Sequence, residues 1–382
     1  MKIVLFCHAF TSCWNNGHAH FLRGVARECV ALGHRMVVCE YADGWSRSNA
    51  LADGGADILK EAAQLVPGVE LHALQSGDVE NGLDRLLDQA DVVLVHEWNE
   101  PSLIAAVGRH RRYADFLLFF LDAHHRAVTA PATIDALDLD AYDAVLAFGE
   151  SLRECYADRG WGPRAYTWHE AADIALFQPM PAVEKTRDLV WIGNWGDDER
   201  SRELREFLIE PVRQLGLTAD VHGVRYPQHA KNLLEDAGIT YRGWLPNHRV
   251  PEAFAAARMT VHVPRQTYQS QLPGIPTIRV FEALACGIPL VCSPWLDDER
   301  LFPPGAYLQA SSGTAMKHLL KALLEDHAMA SELARRGREV IERAHTCRHR
   351  VEALLSIVDL LRRRPSVGRT AAAAARDMEP AQ

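Results

Sequence analysis

Short apolar segments alternate with amphipathic segments from one end of the chain to the other. In the first half the apolar segments contain few polar positions, which is typical of strands buried on both faces of a parallel sheet. The clearest amphipathic segment runs over residues 17–32, where apolar side chains recur at helical spacing until Gly33 ends it. The pattern predicts strands in this half at 3–7, 35–40, 70–73, 92–96, 116–121, 144–147 and 165–168.

The alternation is interrupted at residues 177–181 and then starts again. The interruption contains Pro179 and Pro181 and is followed by charged positions, so we interpret it as a linker between two domains. Two series of strands alternating with helices predict two doubly wound α/β domains, with a ligand site in the cleft between the carboxyl ends of their strands. The second series has predicted strands at 189–193, 219–223, 240–243, 260–264, 289–292 and 307–309, and predicted helices at 202–215, 251–257, 279–285, 315–324, 329–344 and 346–362.

The interruption at residues 177–181 and the end of the helical pattern near residue 362 also predict the domain organisation. A first Rossmann-like domain covers residues 1–175, a second covers residues 176–345, and a last helix follows at 346–362. The remainder, 363–382, has few large apolar side chains and is predicted to be disordered.

Composition and charge exclude some classes of protein. Of the 382 residues, 48% are hydrophobic and 24% are charged, as in an ordinary soluble globular protein. The net charge of -9 argues against a protein that binds the nucleic-acid backbone.

The N-terminal segment is interpreted as a buried strand rather than a signal peptide, and no apolar run is long enough for a transmembrane helix. The eight cysteines form no CxxC pair, which predicts reduced thiols and a cytoplasmic location, while the oligomeric state is not indicated.

The segment 273–291 carries the strongest indication of a binding site. A loop rich in Gly and Pro, which includes Gly274, leads into a short predicted helix. The backbone N–H groups of Thr277 and Ile278 at the start of this helix are expected to point into the cleft. Such a helix start binds anions, because unsatisfied N–H groups and the helix dipole both favour negative charge. Arg279 adds a charge-assisted contact to the same anion.

Glu282 opens the motif Glu-Ala-x-Ala-Cys-Gly-x-Pro, which follows this loop. Its carboxylate can accept hydrogen bonds from two adjacent hydroxyls, such as those of a ribose. The alternative is that it only complements the helix dipole. The motif resembles the donor-site motif of glycosyltransferases with the GT-B fold, of the broad family-four type. The longer span 189–282 resembles most the CgeB-like, or spore-maturation, glycosyltransferases.

The resemblance implies a GT-B fold in which the first domain binds a hydroxyl-bearing acceptor and the second binds a nucleotide sugar, a UDP-sugar. It implies a metal-independent, retaining transfer and a last helix that crosses back onto the first domain. No cofactor is implied beyond the nucleotide sugar as co-substrate. One position departs from the motif: many retaining relatives carry a glutamate eight residues before the position of Glu282, and this chain has Gly274 there.

Further positions are candidate contacts to the donor. Gly193 and Asn194 follow a predicted strand and precede a helix, so their amides are expected to face a diphosphate. The resemblance implies that Arg200 contacts it too, the alternative being a solvated residue in a run of charges. It also implies that main-chain atoms at Leu245 contact the base. Gly17, after the first strand, lets the backbone approach a ligand, unless the loop is an ordinary helix cap.

The carboxyl ends of two predicted strands supply candidate catalytic residues. Glu97 follows the strand at 92–96, and Asp122 and His124 follow the strand at 116–121. We expect Asp122 or His124 to deprotonate or orient an acceptor hydroxyl, since an imidazole titrates near neutral pH, and Glu97 to hold a hydroxyl. For each, the alternative is a purely structural hydrogen bond. No set of His, Cys and carboxylate residues has metal-ligand spacing, so no metal is expected.

The favoured function is a glycosyltransferase that moves a sugar from a nucleotide-diphosphate sugar to an unidentified acceptor. One alternative keeps the fold and changes the reaction to that of a sugar-nucleotide 2-epimerase. The lack of a carboxylate at position 274 does not favour it. The other alternative is a catalytically inactive protein that binds a nucleotide sugar.

Overall fold

Two parallel β-sheets with helices packed on their faces form this protein. The computed structural model describes residues 1–77, 82–196 and 198–363. The strands of the first sheet are β1 (Lys2–Cys7), β2 (Arg35–Tyr41), β3 (Glu70–Leu74), β4 (Val92–His96), β5 (Leu117–Asp122), β6 (Ala144–Ala147) and β7 (Ala165–Thr167). Their spatial order is β3-β2-β1-β4-β5-β6-β7, and every neighbouring pair is parallel.

The second sheet repeats this arrangement with six strands. They are β8 (Arg187–Ile192), β9 (Ala219–His222), β10 (Ile239–Gly243), β11 (Ala257–His262), β12 (Leu290–Cys292) and β13 (Leu308–Gln309). All pairs are parallel in the order β10-β9-β8-β11-β12-β13. In each sheet the chain extends first to one side of its first strand and then to the other, as in a doubly wound sheet. The predicted architecture is confirmed, and each predicted strand is present.

Helices cover both faces of the first sheet, since Ile3 and Leu5 of β1 belong to one apolar cluster and Val4 and Phe6 to another. The helices of the first half are α1 (His18–Ala31), α2 (Trp45–Gln64), α3 (Leu83–Leu87), α4 (Pro101–Arg111), α5 (Arg126–Thr129), α6 (Pro131–Asp135) and α7 (Glu150–Tyr156). Those of the second half are α8 (Ser201–Leu204), α9 (Glu210–Leu215), α10 (Gln228–Asp236), α11 (Val250–Ala255), α12 (Gln266–Ser270), α13 (Ile278–Ala285), α14 (Gly313–Glu325), α15 (His327–Ala344) and α16 (Cys347–Arg363).

One predicted helix is not continuous. The helix predicted at 202–215 is divided into α8, a π-helical turn (Arg205–Ile209) and α9. Pro211, near the start of α9, has no N–H to donate to the preceding turn. The wider π-helical turn therefore lies directly before the proline, where the regular hydrogen-bond ladder is interrupted.

Several element ends differ from the prediction by a few residues, and two of these differences, at Ala257 and Arg363, change the assigned state of a residue. The helix predicted at 251–257 ends earlier, and Ala257 instead begins β11 because it pairs with Arg187 of β8. Arg363, predicted as the first residue of a disordered tail, is the last residue of α16. The rest of that predicted tail, 364–382, lies outside the described residues.

The last helix returns to the first sheet. α16 packs against α1, and the Trp168 indole N–H donates to the carbonyl oxygen of Arg350 at 2.8 Å. Just before α16, Ala172 and Thr346 form a parallel bridge. The two halves are therefore joined twice, through the segment after β7 and again at the start of α16. The predicted domain boundaries stay predictions.

All eight cysteines are free thiols, and seven of them are buried. Within the three described ranges, no helix combines the length and the apolar character that crossing a membrane requires.

Candidate active site

A cleft with a cavity volume of about 270 Å³, partly open to solvent, lies where the carboxyl ends of the two sets of strands face each other. The loops after β1 and β5 line it from the first half. The loops after β8, β9, β10 and β11 line it from the second half, together with the start of α13. Two facing doubly wound sheets place a ligand site here, because strand ends and helix starts bring unpaired backbone groups together.

The start of α13 faces the cleft through Thr277, Ile278 and Arg279. Thr277 precedes the first helical residue with extended backbone, and in the described parts of the chain no side chain caps the helix. The Thr277 hydroxyl instead lies 2.9 Å from His262 Nε2. The helix therefore presents N–H groups to the cleft without a capping oxygen, which favours an anion there.

Glu282 lies one turn further along α13 and does not line the cleft. Its side chain is fully buried, Oε1 lies 2.8 Å from His20 Nδ1, and Oε2 accepts a hydrogen bond from Arg279. Burial by itself raises the pKa of Glu282, but the charges and hydrogen bonds of Arg279 and His20 outweigh burial and hold that pKa below its usual value. A ribose reaches this carboxylate only by displacing one of these partners, so the ribose contact stays a prediction.

The turn after β8 brings Gly193 and Asn194 to the cleft. The side-chain oxygen of Asn194 accepts the N–H of Val224 at 2.9 Å, and its Nδ2 donates to the side-chain oxygen of Asn15 in the first half. A Cβ built on Gly223 would overlap the carbonyl oxygen of Gly193. Only glycine therefore fits at position 223, where the segments after β8 and β9 pass each other.

Arg200 is held in the wall of the cleft and is not the solvated residue of the alternative interpretation. Its Nη1 donates to the Val263 carbonyl oxygen at 2.7 Å, and its Nη2 donates to the carbonyl oxygen of Asn194. The guanidinium lies 5.3 Å from the centre of the Trp191 ring. Burial lowers the pKa of Arg200 to about 10, so it stays cationic at neutral pH.

Of the other predicted donor contacts, Gly17 and Leu245 line the cleft and Gly274 does not. A Cβ on Gly17 would lie 2.7 Å from the Ile278 side chain, so glycine allows the first half to approach α13. Gly274 has a φ of +83°, and its N–H donates to the Leu296 carbonyl oxygen at 3.0 Å. Glycine suits this left-handed backbone, which gives position 274 a structural reason for its residue type.

Two of the three predicted catalytic residues lie behind the wall of the cleft. Asp122 is completely buried and accepts the Tyr156 hydroxyl at 2.7 Å and the backbone N–H of His124 at 3.1 Å. Glu97 is buried and paired with Arg126. Burial raises the pKa of Asp122 to about 6, and burial with the charge of Asp122 raises the pKa of Glu97 well above its usual value. Both carboxyl groups are therefore placed to stabilise the loops around them. A direct catalytic role for either one stays a prediction.

His124 is the predicted catalytic residue that lines the cleft. The centre of its ring lies 3.9 Å from that of His125. It lies 5.1 Å from the centre of the Trp98 ring, which packs against it edge to face. Burial, together with the charges of His125 and Arg126, lowers the pKa of His124 well below its usual value. The imidazole is therefore neutral at neutral pH and is a weak base.

The cleft also contains side chains that the sequence analysis did not assign to it. His18 begins α1 and Glu170 follows β7, and His18 Nδ1 lies 2.7 Å from Glu170 Oε1. No local spacing indicates this pair, because 152 positions separate its members. The sequence offered only two separate signals for these residues: His18 lies at a predicted helix start, and Glu170 lies just beyond a predicted strand. Further unassigned lining residues are Asn247, His262, Arg265 and Tyr268.

No metal centre is formed by the part of the chain that the structure describes, where no three His, Cys, Asp or Glu side chains gather in a way that suits an ion. Positive charge at the cleft comes from the lining residues Arg200, Arg265 and Arg279.

Comparison with known proteins adds a family model and solved structures. Residues 200–356 match a model described as "Glycosyl transferase-like". The chain resembles HepE from Anabaena in complex with UDP and glucose, at TM-score 0.66 and 12% identity, over 94% of this chain and 99% of that chain. It resembles a sucrose-phosphate synthase from Thermosynechococcus elongatus at TM-score 0.63 and 14% identity, over 94% and 99%. It also resembles an alpha-glucosyltransferase in complex with UDP and a 13-mer DNA, at TM-score 0.67 and 11% identity, over 94% and 99%. No curated protein matches the sequence.

The fold is the GT-B fold of glycosyltransferases. The solved structures match both doubly wound sheets over almost the whole chain, as the sequence-based expectation required. The matching family model includes β9–β13 and the start of α13, the region from which that expectation came. Membership of the CgeB-like subfamily stays a prediction.

Proposed function

We propose that this protein is a glycosyltransferase that moves a sugar from a UDP-sugar to a hydroxyl-bearing acceptor. The observation that carries the proposal is the uncapped start of α13, where Thr277, Ile278 and Arg279 face a cleft between two sheets. A diphosphate suits this place, because N–H groups at a helix start and an arginine both bind phosphate oxygens. The family model and the solved structures that hold UDP support the same function.

In this proposal the second half of the chain holds the donor. When the bond between sugar and diphosphate breaks, negative charge grows on the leaving phosphate oxygen. Fixed N–H groups at the start of α13, with Arg279 and Arg200, stabilise that charge, so the reaction needs no metal ion. The base of the nucleotide lies near Leu245, where the resemblance places main-chain contacts.

The first half of the chain holds the acceptor in the loops after β1 and β5. The close approach of Gly17 to Ile278 brings an acceptor-side loop against the donor site. A close fit between the two halves excludes water from the reacting groups and so limits hydrolysis of the donor. The proposal includes a cytoplasmic location, which the free thiols support, since nucleotide sugars and reduced cysteines are both compatible with that compartment.

A retaining outcome stays a prediction that rests on the resemblance. The carboxylate that many retaining relatives carry is absent at Gly274, and this position does not line the cleft. The same observation gives no support to a 2-epimerase, which needs acidic groups around the donor sugar. The inactive binding protein remains as the alternative that an activity assay separates.

Titration with UDP, followed by calorimetry, tests the donor site. We expect Arg279→Ala to weaken UDP binding at least tenfold, because a charge-assisted contact worth about 1.5–3 kcal/mol is lost. Arg335→Ala is the matched control, because this arginine is exposed on α15 and paired with Glu332 and Glu339. It should bind UDP as the parent does, and the thermal midpoint of each variant shows whether it is folded.

Product analysis with UDP-glucose, UDP-galactose and UDP-N-acetylglucosamine then separates the three functions. Released or transferred sugar supports the glycosyltransferase, an isomerised sugar nucleotide supports the epimerase, and binding without turnover supports the inactive protein. Failure to bind any of these nucleotides contradicts the proposal.

A further inference from the structure

His18 and Glu170 form a buried contact in the wall of the cleft, on the side proposed to bind the acceptor. His18 is 8% exposed and Glu170 is 5% exposed, and both line the cleft. His18 Nδ1 lies 2.7 Å from Glu170 Oε1. The contact joins the first residue of α1 to the segment after β7, so two separate elements hold the imidazole in one orientation.

This contact determines which nitrogen of the imidazole is available. An ionised carboxylate only accepts hydrogen bonds, so a neutral imidazole in contact with it donates from Nδ1 and keeps its lone pair on Nε2. Nε2 is buried and has no hydrogen-bond partner among the residues that the structure describes. The side-chain oxygen of Asn16 accepts the backbone N–H of His18 at 3.0 Å and holds the start of α1. A positioned, unpaired lone pair in a cleft is what a general base requires.

Two other histidines lie near this imidazole, and Arg279 lies near the preceding residue, since its Nη2 would be 3.6 Å from a Cβ built on Gly17. The ring centre of His96 lies 5.1 Å from that of His18, and the ring centre of His8 lies 5.4 Å from that of His96. Burial lowers the pKa of His8 to about 3 and the pKa of His96 well below its usual value. Both are neutral at neutral pH, and Glu170 Oε1 is in direct contact with the His18 imidazole.

We propose that His18 takes the proton from the acceptor hydroxyl, that Glu170 positions its ring, and that the transfer inverts the anomeric carbon. The inference rests on the proposed function, adds its base, and replaces the retaining outcome that the resemblance implies with an inverting one. The candidates from sequence are less suited: the ring of His124 has no carboxylate partner in the described residues, and Asp122 and Glu97 lie behind the wall.

The step balances as one displacement. The acceptor oxygen gives its proton to His18 Nε2 and forms a bond to the anomeric carbon, while the bond from that carbon to the β-phosphate oxygen breaks. The electron pair of the breaking bond stays on the diphosphate, whose charge the start of α13 and Arg279 stabilise. The imidazolium stays paired with Glu170 and loses its proton to solvent after the products leave. Attack on the face opposite the leaving group inverts the configuration.

The test uses UDP-glucose as donor and water as acceptor, because the natural acceptor is unidentified. UDP-glucose carries an α-linked sugar, so inversion releases β-glucose first and retention releases α-glucose first. Proton NMR spectra recorded before mutarotation distinguish the two. We expect β-glucose from the parent, and a loss of turnover of about 10²–10⁴-fold in His18→Gln with UDP binding unchanged. His327→Gln, at an exposed histidine on α15, is the matched control.

A second variant keeps the inference testable if His18→Gln does not fold. Glu170→Gln removes the carboxylate that orients the ring, so kcat should fall at least tenfold while KM for UDP-glucose changes little, and Glu170→Asp should restore part of the lost kcat. A merely structural role for Glu170 would change the thermal midpoint without this separation of kcat from KM. α-Glucose as the first product, or full turnover in His18→Gln, overturns the inference and leaves the proposed function standing. Absence of UDP binding and of turnover with all three sugar nucleotides in the parent overturns both.

Discussion

The two walls of the cleft are built from the chain in different ways. The wall proposed to hold the donor, called the donor wall below, takes its helix start, its preceding loop and Arg279 from one continuous segment, residues 273–282. The wall proposed to hold the acceptor, called the acceptor wall below, brings together residues from distant segments, and His18 and Glu170 are 152 positions apart. A single helix start can bind a phosphate by itself, whereas a base needs an orienting partner that only the folded chain supplies.

The two walls also differ in charge: one carries a fixed positive charge, and the other contains neutral imidazoles. On the donor wall Arg200 stays cationic, because burial lowers its pKa only to about 10. On the acceptor wall burial keeps His8 and His96 neutral by lowering the pKa of each. Fixed positive charge suits a departing diphosphate, and neutral imidazoles around a paired one suit the uptake of a proton.

The largest effect is expected at Gly223 on the donor wall. A side chain there would overlap the carbonyl oxygen of Gly193, so Gly223→Val forces two backbone segments apart. We expect a loss of about 5 kcal/mol in the free energy of unfolding, and no measurable UDP binding, in urea titrations and calorimetry.

Gly82→Ala is the control for this experiment, since a Cβ there meets no atom within 4 Å. If Gly223→Val binds UDP like the parent, then the donor wall does not depend on the close passage of these two loops.

A smaller effect is expected where the two walls meet, at Glu282. Glu282→Gln leaves Arg279 and His20 without their shared carboxylate, and breaking a buried pair in this way costs about 3–5 kcal/mol of stability. Because the fold lowers the pKa of Glu282, its contribution is present above the ordinary value of 4.5 and is lost as the pH falls below it. Urea titrations at neutral pH and near pH 3 should therefore show a difference from the parent that shrinks on acidification.

Glu332→Gln is the matched control, because this glutamate pairs with arginines on an exposed face of α15. A parent and a Glu282→Gln protein of equal stability at neutral pH would show that the two walls are not held together by this carboxylate. If UDP binding is lost while stability is retained, Glu282 contacts the ribose, as the motif implies.

The sequence predicted the fold better than the site because burial of strands is a local property. β1, β4 and β5 are buried along their whole length, and such strands appear in the sequence as unbroken apolar runs. The π-helical turn before Pro211 was missed, since a proline shows where a ladder breaks but not how the chain bypasses the break.

Within the site, the success of the prediction depended on how far apart the partners are in sequence. Thr277, Ile278 and Arg279 reach the cleft as their place at a helix start predicts. The burial of Glu282 was not predicted, because its partner His20 comes from the opposite half of the molecule.

The smallest effect is expected behind the acceptor wall, at Asp122, and it sharpens the assignment of the base. The pKa of Asp122 is raised from 3.8 to about 6, so its contribution to stability is present at low pH and is lost as the pH rises through this range, at a cost of roughly 3 kcal/mol. Asp122→Asn is neutral and escapes that cost while keeping an oxygen for the His124 N–H. We expect it to unfold at the parent's urea concentration or a higher one at pH 7.5, and at a lower one at pH 4. The exposed Asp138→Asn should lack this pH dependence.

Turnover of UDP-glucose should fall less than tenfold in Asp122→Asn, against at least about a hundredfold in His18→Gln. The reverse order of the two losses would make Asp122 the base, and the acceptor wall would then act through a side chain that the folded structure keeps out of the cleft.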